Sequence, residues 1–314
     1  MILHIFDVSQ YIAAGAVRDD TYCGGVTEDN GLYRSRQIPV GGVKFLLNTI
    51  YDFYKPGNEL VFVFDDVPYV KREMHERAFP TLGGYKGKRP RKLPKVVLQR
   101  DLAYEVLKMC GFNCIKVEGY EADDCIATLV EEYKDSYDHV YLHNRDSDLF
   151  YLVEDNVSIA PVGNQGKYIT LANYEQSVSS KWNIKYNTVL LSKLYDGDAS
   201  DNIPKISPDM VELIERYISE EKYRLCGNKN LLRSWVAEAT NNDKVTMSIV
   251  DLILTLDVPK SQIQLCCSKF EQDCFNFFAG SFGHRKAPKQ FLEISECNDL
   301  LESFIEKYER GDYM

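Results

Sequence analysis

The stretch Glu118–Leu152, EGYEADDCIATLVEEYKDSYDHVYLHNRDSDLFYL, predicts a helix followed by a strand, with carboxylates before the helix and after the strand. Apolar residues at helical spacing indicate the helix and an apolar run indicates the strand: Ile126, Leu129, Val130 and Tyr133, then Val140–Leu142. Five acids flank this unit: Glu121, Asp123, Asp124, Asp146 and Asp148. The helix dipole favours acids in a first turn, which accounts for one or two of the five but not for Asp146 and Asp148.

Further acids follow other apolar runs of the chain. The runs and the acids after them are residues 2–6 before Asp7, 60–64 before Asp65, 113–117 before Glu121, and 140–142 before Asp146. One acid after a strand is usually a turn residue. Four such strands predict an α/β fold with a central, mostly parallel sheet flanked by helices, because the carboxyl ends of parallel strands share one edge.

A cluster of carboxylates at that edge needs cations. Two carboxylates about 4 Å apart repel by roughly 4 kcal/mol at an effective dielectric constant near 20. Mg²⁺ and Mn²⁺ prefer oxygen ligands and would offset this repulsion. The loop LSKLYDGDASDNIP, residues 191–204, adds Asp198 and Asp201. An EF-hand calcium loop is the alternative for this segment, but its ligand spacing does not continue.

The composition limits the class of protein. The 314 residues are 45% hydrophobic and 27% charged, and no apolar run reaches the roughly 20 residues needed to span a bilayer. The amino terminus has no basic region ahead of its apolar residues, so we expect no secretory signal. Nine cysteines without a CxxC pair fit a reducing cytoplasm better than a disulfide framework or a zinc site.

The charge is distributed very unevenly. The net charge is −10, but residues 71–100 hold ten basic and two acidic side chains. A solvated loop is the ordinary explanation of such a run. Here Phe79, Tyr85 and three glycines are interleaved with the cations, a combination that suits a nucleic-acid strand, with bases on aromatic rings and phosphates on Lys and Arg.

These motifs together resemble the 5′-nuclease superfamily, which comprises flap endonucleases, the 5′-nuclease domain of bacterial DNA polymerase I and standalone phage 5′–3′ exonucleases. The matching segments are YKGKR (85–89), GYEADD (119–124), RDSDLFYLV (145–153), GDASDNIP (197–204) and LTLDVP (254–259). No polymerase domain follows residue 260, so we expect a standalone, phage-type member, located in the host cytoplasm if it is phage-encoded.

The resemblance implies a two-metal phosphodiesterase using Mg²⁺, with Mn²⁺ able to substitute, that removes flaps or primers. The implied metal site comprises Asp7, Asp65, Glu121, Asp123, Asp124, Asp146, Asp148, Asp198 and Asp201, with Asp66 as the alternate to Asp65. Asp124 and Asp198 would act indirectly, either by supporting the ligands or through water. Lys86 and Arg89 match catalytic positions at the scissile phosphate. The other substrate-binding candidates are Arg72, Tyr85, Lys88, Arg91 and Lys92.

The resemblance also implies a domain plan and partners. We expect an α/β nuclease core over residues 1–190, with a basic arch at about 70–100, and a helical duplex-binding region with a C-terminal extension over 191–314. We expect a monomer that binds DNA with a free 5′ end, flap or nick, and RNA–DNA primer hybrids. A single-strand-binding protein is a further candidate partner, and no membrane is expected.

One segment departs from the family pattern. NIPKISPDM (202–210) has Lys205, Ser207 and Pro208 where family members have glycines that grip duplex DNA and, in some, a monovalent cation. We therefore do not expect that cation here, and the grip on the duplex is left open. The alternatives to a 5′-nuclease are a PIN-type ribonuclease, which lacks the arch and the GDASDN loop, and a nucleic-acid-binding relative without catalysis.

Overall fold

The computed structural model describes residues 1–18, 21–29, 32–162, 167–174, 176–177, 189–218, 228–266, 269–283 and 294–313. Two of the nine cysteines, Cys226 and Cys267, lie outside the described residues. So do residues 178–188, which directly precede the predicted domain boundary near residue 190.

The fold is α/β, as predicted, with a five-stranded sheet of order β5-β4-β1-β6-β7 and a separate two-stranded sheet. The strands are β1 Ile2–Asp7, β2 Tyr22–Asp29, β3 Leu32–Pro39, β4 Asn58–Val63, β5 Asn113–Ile115, β6 His139–His143 and β7 Val157–Ala160. The pairs β4–β5 and β6–β7 are both parallel. Asp7 ends β1, Asp65 follows β4, and Asp146 and Asp148 follow β6, so the alternation of strand and acid is confirmed.

The helix predicted from the apolar spacing of Ile126, Leu129, Val130 and Tyr133 is present. The helices are α1 Val8–Arg18, α2 Gly41–Phe53, α3 Tyr69–Ala78, α4 Pro94–Met109, α5 Ala122–Tyr133, α6 Val189–Asp196, α7 Pro208–Tyr217, α8 Lys229–Ala239, α9 Lys244–Ile253, α10 Gln272–Ser281 and α11 Ser295–Glu309. Short 3₁₀ turns cover Lys134–Ser136, Ser147–Leu152, Leu171–Asn173 and Lys260–Gln262. Within the described ranges, no helix combines the length and apolar character that crossing a bilayer requires.

Residues 13–40, which the sequence pattern left unassigned, contain the end of α1 and the antiparallel β2–β3 hairpin. The register pairs Tyr22 with Pro39 and Asp29 with Leu32. The strands contain adjacent glycines and many polar residues, so they lack the apolar alternation from which a hairpin is recognised.

The structure divides into two compact units, each assembled from separate stretches of chain. The first comprises residues 1–2, 65–90 and 116–264, and the second comprises residues 3–64, 91–115 and 265–314. In the second unit, α1 and α2 approach closely, since a Cβ atom on Gly15 would lie 2.7 Å from the Gly42 Cα. All but three of the predicted site residues belong to the first unit; Asp7, Arg91 and Lys92 belong to the second. The predicted division at residue 190 stays a prediction.

Candidate active site

A capping box fixes the acids at the start of α5. Glu121 is the N-cap residue, and its side chain accepts a hydrogen bond from a backbone N–H of the first turn. In return, the Glu121 N–H donates to Asp124 Oδ2 over 3.1 Å. Asp65 also lies at this helix end, where its Oδ1 accepts from the Ala122 N–H at 3.1 Å. The GYEADD motif thus begins a helix with Glu121 and Asp124 in defined orientations, and Asp65 binds the same helix end.

Three of the predicted ligands converge in what we call the aspartate trio, Asp123, Asp146 and Asp148. One carboxylate oxygen of each lies within 4.8 Å of those of the other two. Asp146 caps the 3₁₀ turn after β6 and accepts from the Asp148 N–H at 3.2 Å. The Asn144 side chain accepts from the Asp146 N–H, so the backbone of the turn holds the trio in place.

The trio is electrostatically suited to a cation. Burial, together with the neighbouring Asp146 carboxylate, raises the pKa of Asp148 to about 6, even though the Lys193 ammonium in contact with it acts in the opposite direction. Carboxylate oxygens at this spacing are the ligands that Mg²⁺ and Mn²⁺ prefer. The donor set therefore fits a hard divalent ion.

Lys193 links the trio to the GDASDN loop. Its ammonium contacts Asp148 and lies 2.9 Å from Asp198 Oδ2. Burial alone would raise the pKa of Asp198, but Lys193 and the Ser200 hydroxyl hold it at about 2. Asp198 also accepts from the backbone N–H groups of Ser200 and Asp201, and so shapes its own loop.

Asp124 is fully buried and bonded to protein groups on both oxygens. Its Oδ1 accepts from the Leu256 N–H at 2.7 Å and lies 3.1 Å from the Lys71 ammonium. Its Oδ2 accepts from Glu121, as described above. Asp124 therefore joins the LTLDVP segment to the start of α5, and its indirect role at the metal stays a prediction.

Lys71 is a cation of the site that the sequence reasoning missed. It is 5% exposed and lies 3.3 Å from Glu121 Oε2 in addition to Asp124, whereas Arg72, the predicted residue, is exposed. The two neighbours differ because successive helical residues point about 100° apart. Lys71 and His75 are four residues apart, so they share one face of α3, and both are buried, but the sequence carries no signal that this polar face turns inward.

The YKGKR segment contacts the same acids. The Tyr85 hydroxyl lies 2.8 Å from Glu121 Oε2 and 2.9 Å from Asp201 Oδ2, and its single proton can be donated to one of them at a time. Lys86 contacts Glu121 and Arg89 contacts Asp201. Burial would raise the pKa of Glu121, but Lys71 and Lys86 hold it below its ordinary value. Glu121 is thus held as a carboxylate by two ammonium groups.

Tyr85 makes its contacts from a buried position, and the predicted residues still to be placed are Asp66, Lys88, Arg91, Lys92 and Asp7. Tyr85 is only 4% exposed, so its ring is not open to a base in this conformation. Asp66, the alternate to Asp65, instead accepts from the Gly119 N–H. Lys88 is exposed in the first unit. In the second unit, Arg91 and Lys92 are exposed, while Asp7 is buried at the end of β1.

The sequence matches the model of a known protein family. A family model described as "5′-3′ exonuclease, N-terminal resolvase-like domain" covers residues 22–183, just over half of the chain. The chain belongs to the 5′–3′ exonuclease family. The predicted 5′–3′ exonuclease class is therefore confirmed, and the match disfavours the PIN-type alternative.

Individual proteins with similar sequences support the same family assignment. The chain is 26% identical over 247 residues to a 5′-3′ exonuclease of Aquifex aeolicus, covering 74% of this chain and 79% of the relative. It is 28% identical over 284 residues to the thermostable DNA polymerase I of Thermus thermophilus, covering 87% of this chain but 31% of the polymerase. The chain therefore spans about a third of that polymerase relative.

Solved structures of the exonuclease family share the fold. The bacteriophage T5 5′-exonuclease with bound zinc has a TM-score of 0.51 and 15% identity, covering 98% of both chains. The bacteriophage T5 flap endonuclease, in a pseudo-enzyme-product complex with DNA and metal ions, has a TM-score of 0.50 and 17% identity, covering 98% of this chain and 100% of that one. At these identities the likeness establishes the fold.

Proposed function

We propose that this member of the 5′–3′ exonuclease family hydrolyses phosphodiester bonds near the 5′ end of DNA and of RNA–DNA hybrids, and that it removes flaps or primers. The reaction would leave a 5′-phosphate and a 3′-hydroxyl. The observation that carries the proposal is the aspartate trio, whose three carboxylates share one small space. The DNA-bound T5 flap endonuclease of the same fold supports a nucleic-acid substrate.

We propose Mg²⁺ as the physiological metal, with two ions bound and Mn²⁺ able to replace them. The trio would hold one ion, and Asp65, Glu121, Asp198 and Asp201 of the same unit complete the proposed ligand set, while Asp7 stays a prediction from the sequence. When bound, such ions activate a water molecule and stabilise the leaving oxygen. Asn144 and the backbone of the 3₁₀ turn keep the trio oriented, and Asp124 keeps Glu121 in place.

The basic segment would recognise the scissile phosphate. Lys86 and Arg89 bind carboxylates in this structure, and we propose that both turn to the phosphate when a strand enters, where their charge stabilises the transition state. The exposed cations Arg72, Lys88, Arg91 and Lys92 would track the neighbouring phosphates. For Tyr85, stacking on a base requires the ring to leave its buried position.

The test uses flap, nicked and RNA–DNA hybrid substrates, each labelled at the 5′ or the 3′ end, incubated with Mg²⁺ and then with a chelator. We expect short products from the 5′ label, with 3′-hydroxyl ends, and no product after chelation. Cleavage that persists in chelator would contradict the metal mechanism. Cleavage of single-stranded RNA alone would favour the PIN-type ribonuclease instead.

Within this proposal, Lys86→Ala should slow the single-turnover rate far more than it weakens DNA binding, because the ammonium acts on developing charge. Equal losses in rate and affinity would assign Lys86 to binding only. The monomeric state, a single-strand-binding partner and the cytoplasmic location stay predictions.

A further inference from the structure

The turn that carries Lys86 and Arg89 has an unusual backbone. Gly83 and Gly84 have φ angles of 82° and 83°, and Lys86 itself has a φ of 56°. A residue with a side chain is strained in this left-handed region. A turn of this kind keeps its shape only where neighbouring groups hold it.

The side chain of Asn202, in the GDASDN loop, stabilises this turn by hydrogen bonds. Its side-chain amide donates to the Leu82 carbonyl and, over 3.1 Å, to the Gly84 carbonyl. Asn202 is 7% exposed and has a φ of 63°, a conformation that asparagine tolerates better than most residues. Both amide hydrogens are therefore used on two carbonyls that flank Gly83.

His75 of α3 fixes Asn202 from the other side. Its Nε2 lies 2.9 Å from the Asn202 carbonyl oxygen. A carbonyl oxygen only accepts, so Nε2 carries the proton and donates it. His75 is fully buried, and its ring packs edge-on against Phe79 at 5.6 Å between centroids. The histidine thus has a defined tautomer and a fixed position.

The turn is also hydrogen-bonded to the GDASDN loop through the Lys86 backbone and the Arg89 side chain. The Lys86 N–H donates to the Asp201 carbonyl over 3.0 Å, and the Arg89 guanidinium donates to the Ser200 carbonyl over 3.1 Å. From the two side chains and these bonds between the turn and the loop we infer that His75 and Asn202 form a clamp that positions Lys86 and Arg89 for phosphodiester hydrolysis. They are positioning residues, and their effect on rate rests on the proposed function.

The clamp predicts a defined kinetic signature for Asn202→Gly. Glycine keeps the left-handed backbone accessible and removes only the amide. We expect the single-turnover rate to fall about tenfold or more, because small misplacement of catalytic groups is costly. DNA affinity, measured with Ca²⁺ in place of Mg²⁺, should change by less than about threefold.

Asn156→Gly is the matched control. Its amide also donates to a backbone carbonyl, that of Lys134 at 2.9 Å, and it lies before β7, away from the clamp. We expect its rate to stay at that of the parent protein. A rate loss in Asn156→Gly equal to that in Asn202→Gly would overturn the clamp, because any lost amide bond would then have the same effect.

His75 gives an independent pair of variants. His75→Gln keeps an N–H that can donate to the Asn202 carbonyl, whereas His75→Leu does not. We expect the glutamine variant to retain most of the rate and the leucine variant to lose it while the protein remains folded, as checked by circular dichroism. Equal rates in these two variants would overturn the role of the histidine N–H.

Hydrogen exchange separates this inference from the proposed function. In Asn202→Gly, the amides of Lys86 and Arg89 should exchange about tenfold faster than in the parent protein, whether or not DNA is cleaved. If the parent protein does not cleave DNA but the exchange increases, the clamp stands and the proposed function fails. If the parent protein cleaves DNA, and neither exchange nor rate changes in the variant, the clamp is wrong.

Discussion

Two groups of acids in the first unit differ in how many protein cations neutralise their charge. Around Glu121, Asp124 and Asp201, the chain supplies its own cations, Lys71, Lys86 and Arg89. In the aspartate trio, the carboxylates face each other within 4.8 Å, and Lys193 contacts one of them, Asp148.

The pKa values follow this difference. Glu121 has a pKa below its ordinary value, whereas the pKa of Asp148 is raised to about 6. A carboxylate with a lowered pKa is stabilised by protein charges already present, and one with a raised pKa is not fully compensated. In the first group, folding alone brings in the cations that neutralise the carboxylates. The trio keeps negative charge that an added cation would neutralise.

The largest expected effect is on the trio itself. Asp148→Asn should lower the cleavage rate by about 10³-fold, because a metal contributes several kcal/mol to the transition state and each 1.4 kcal/mol is tenfold. In chelator, the same variant should unfold at a higher temperature than the parent protein, because one of three repelling charges is gone. Single-turnover cleavage and thermal unfolding test the two statements.

The matched control is Asp155→Asn, which removes an exposed carboxylate in the turn before β7. It should leave both rate and unfolding temperature close to those of the parent protein. Full cleavage by Asp148→Asn would show that the trio does not hold the catalytic metal, and would remove the distinction between the two groups.

The next largest effect is on the stability of the group around Glu121, Asp124 and Asp201, whose charge the protein's own cations neutralise. Lys71→Met should lower the free energy of unfolding by about 3 kcal/mol, because it removes the buried ammonium that pairs with both Glu121 and Asp124. The neighbouring Arg72→Met removes an exposed cation and should change it by about 0.5 kcal/mol or less. Urea unfolding at 25 °C measures both. Equal values for the two variants would mean that the buried pair contributes no stability.

The two groups also differ in how far the sequence could predict them. The acids follow strands, and strand and helix positions are readable from apolar spacing, so the trio was predictable residue by residue. The cations that face the acids depend on the rotation of α3 and on the path of loops. Lys71 and Arg72 are adjacent, and the weakly apolar sequence of α3 does not show which one turns inward.

Tyr85 illustrates the same limit. Its place among lysines and glycines suggested an exposed ring, because such segments are usually solvated. The structure buries it to 4% exposure through the hydroxyl contacts with Glu121 and Asp201, which lie 36 and 116 residues away in sequence. Long-range bonds of this kind leave no periodic signal in the sequence.

A smaller effect tests whether the Lys193 ammonium already neutralises part of the negative charge of the trio. Lys193→Met should raise the affinity for Mg²⁺ about tenfold, because a competing cation in contact with Asp148 is removed. The dependence of the unfolding temperature on Mg²⁺ concentration measures this affinity. Lys134→Met, which breaks an ion pair with Glu154 before β7, is the control and should leave the affinity unchanged. Weaker Mg²⁺ binding in Lys193→Met would mean that Lys193 organises the site rather than competing for it.

The smallest effect is on the salt dependence of DNA binding. It distinguishes Arg89, which already binds a carboxylate, from Lys88, which is exposed. Lys88 is exposed, so Lys88→Ala should weaken DNA binding a few-fold and lower the slope of log affinity against log salt by about 0.9 for each phosphate that the lysine neutralises. Arg89 already binds Asp201, so a phosphate must displace that carboxylate, and Arg89→Ala should reduce the salt slope less than Lys88→Ala does. Lys108→Ala removes an exposed lysine at the end of α4, outside the basic segment, and should leave the slope unchanged. If Lys88 and Lys108 had equal effects, DNA would respond to overall charge, and the exposed cations of the YKGKR turn would have no special part in holding the strand.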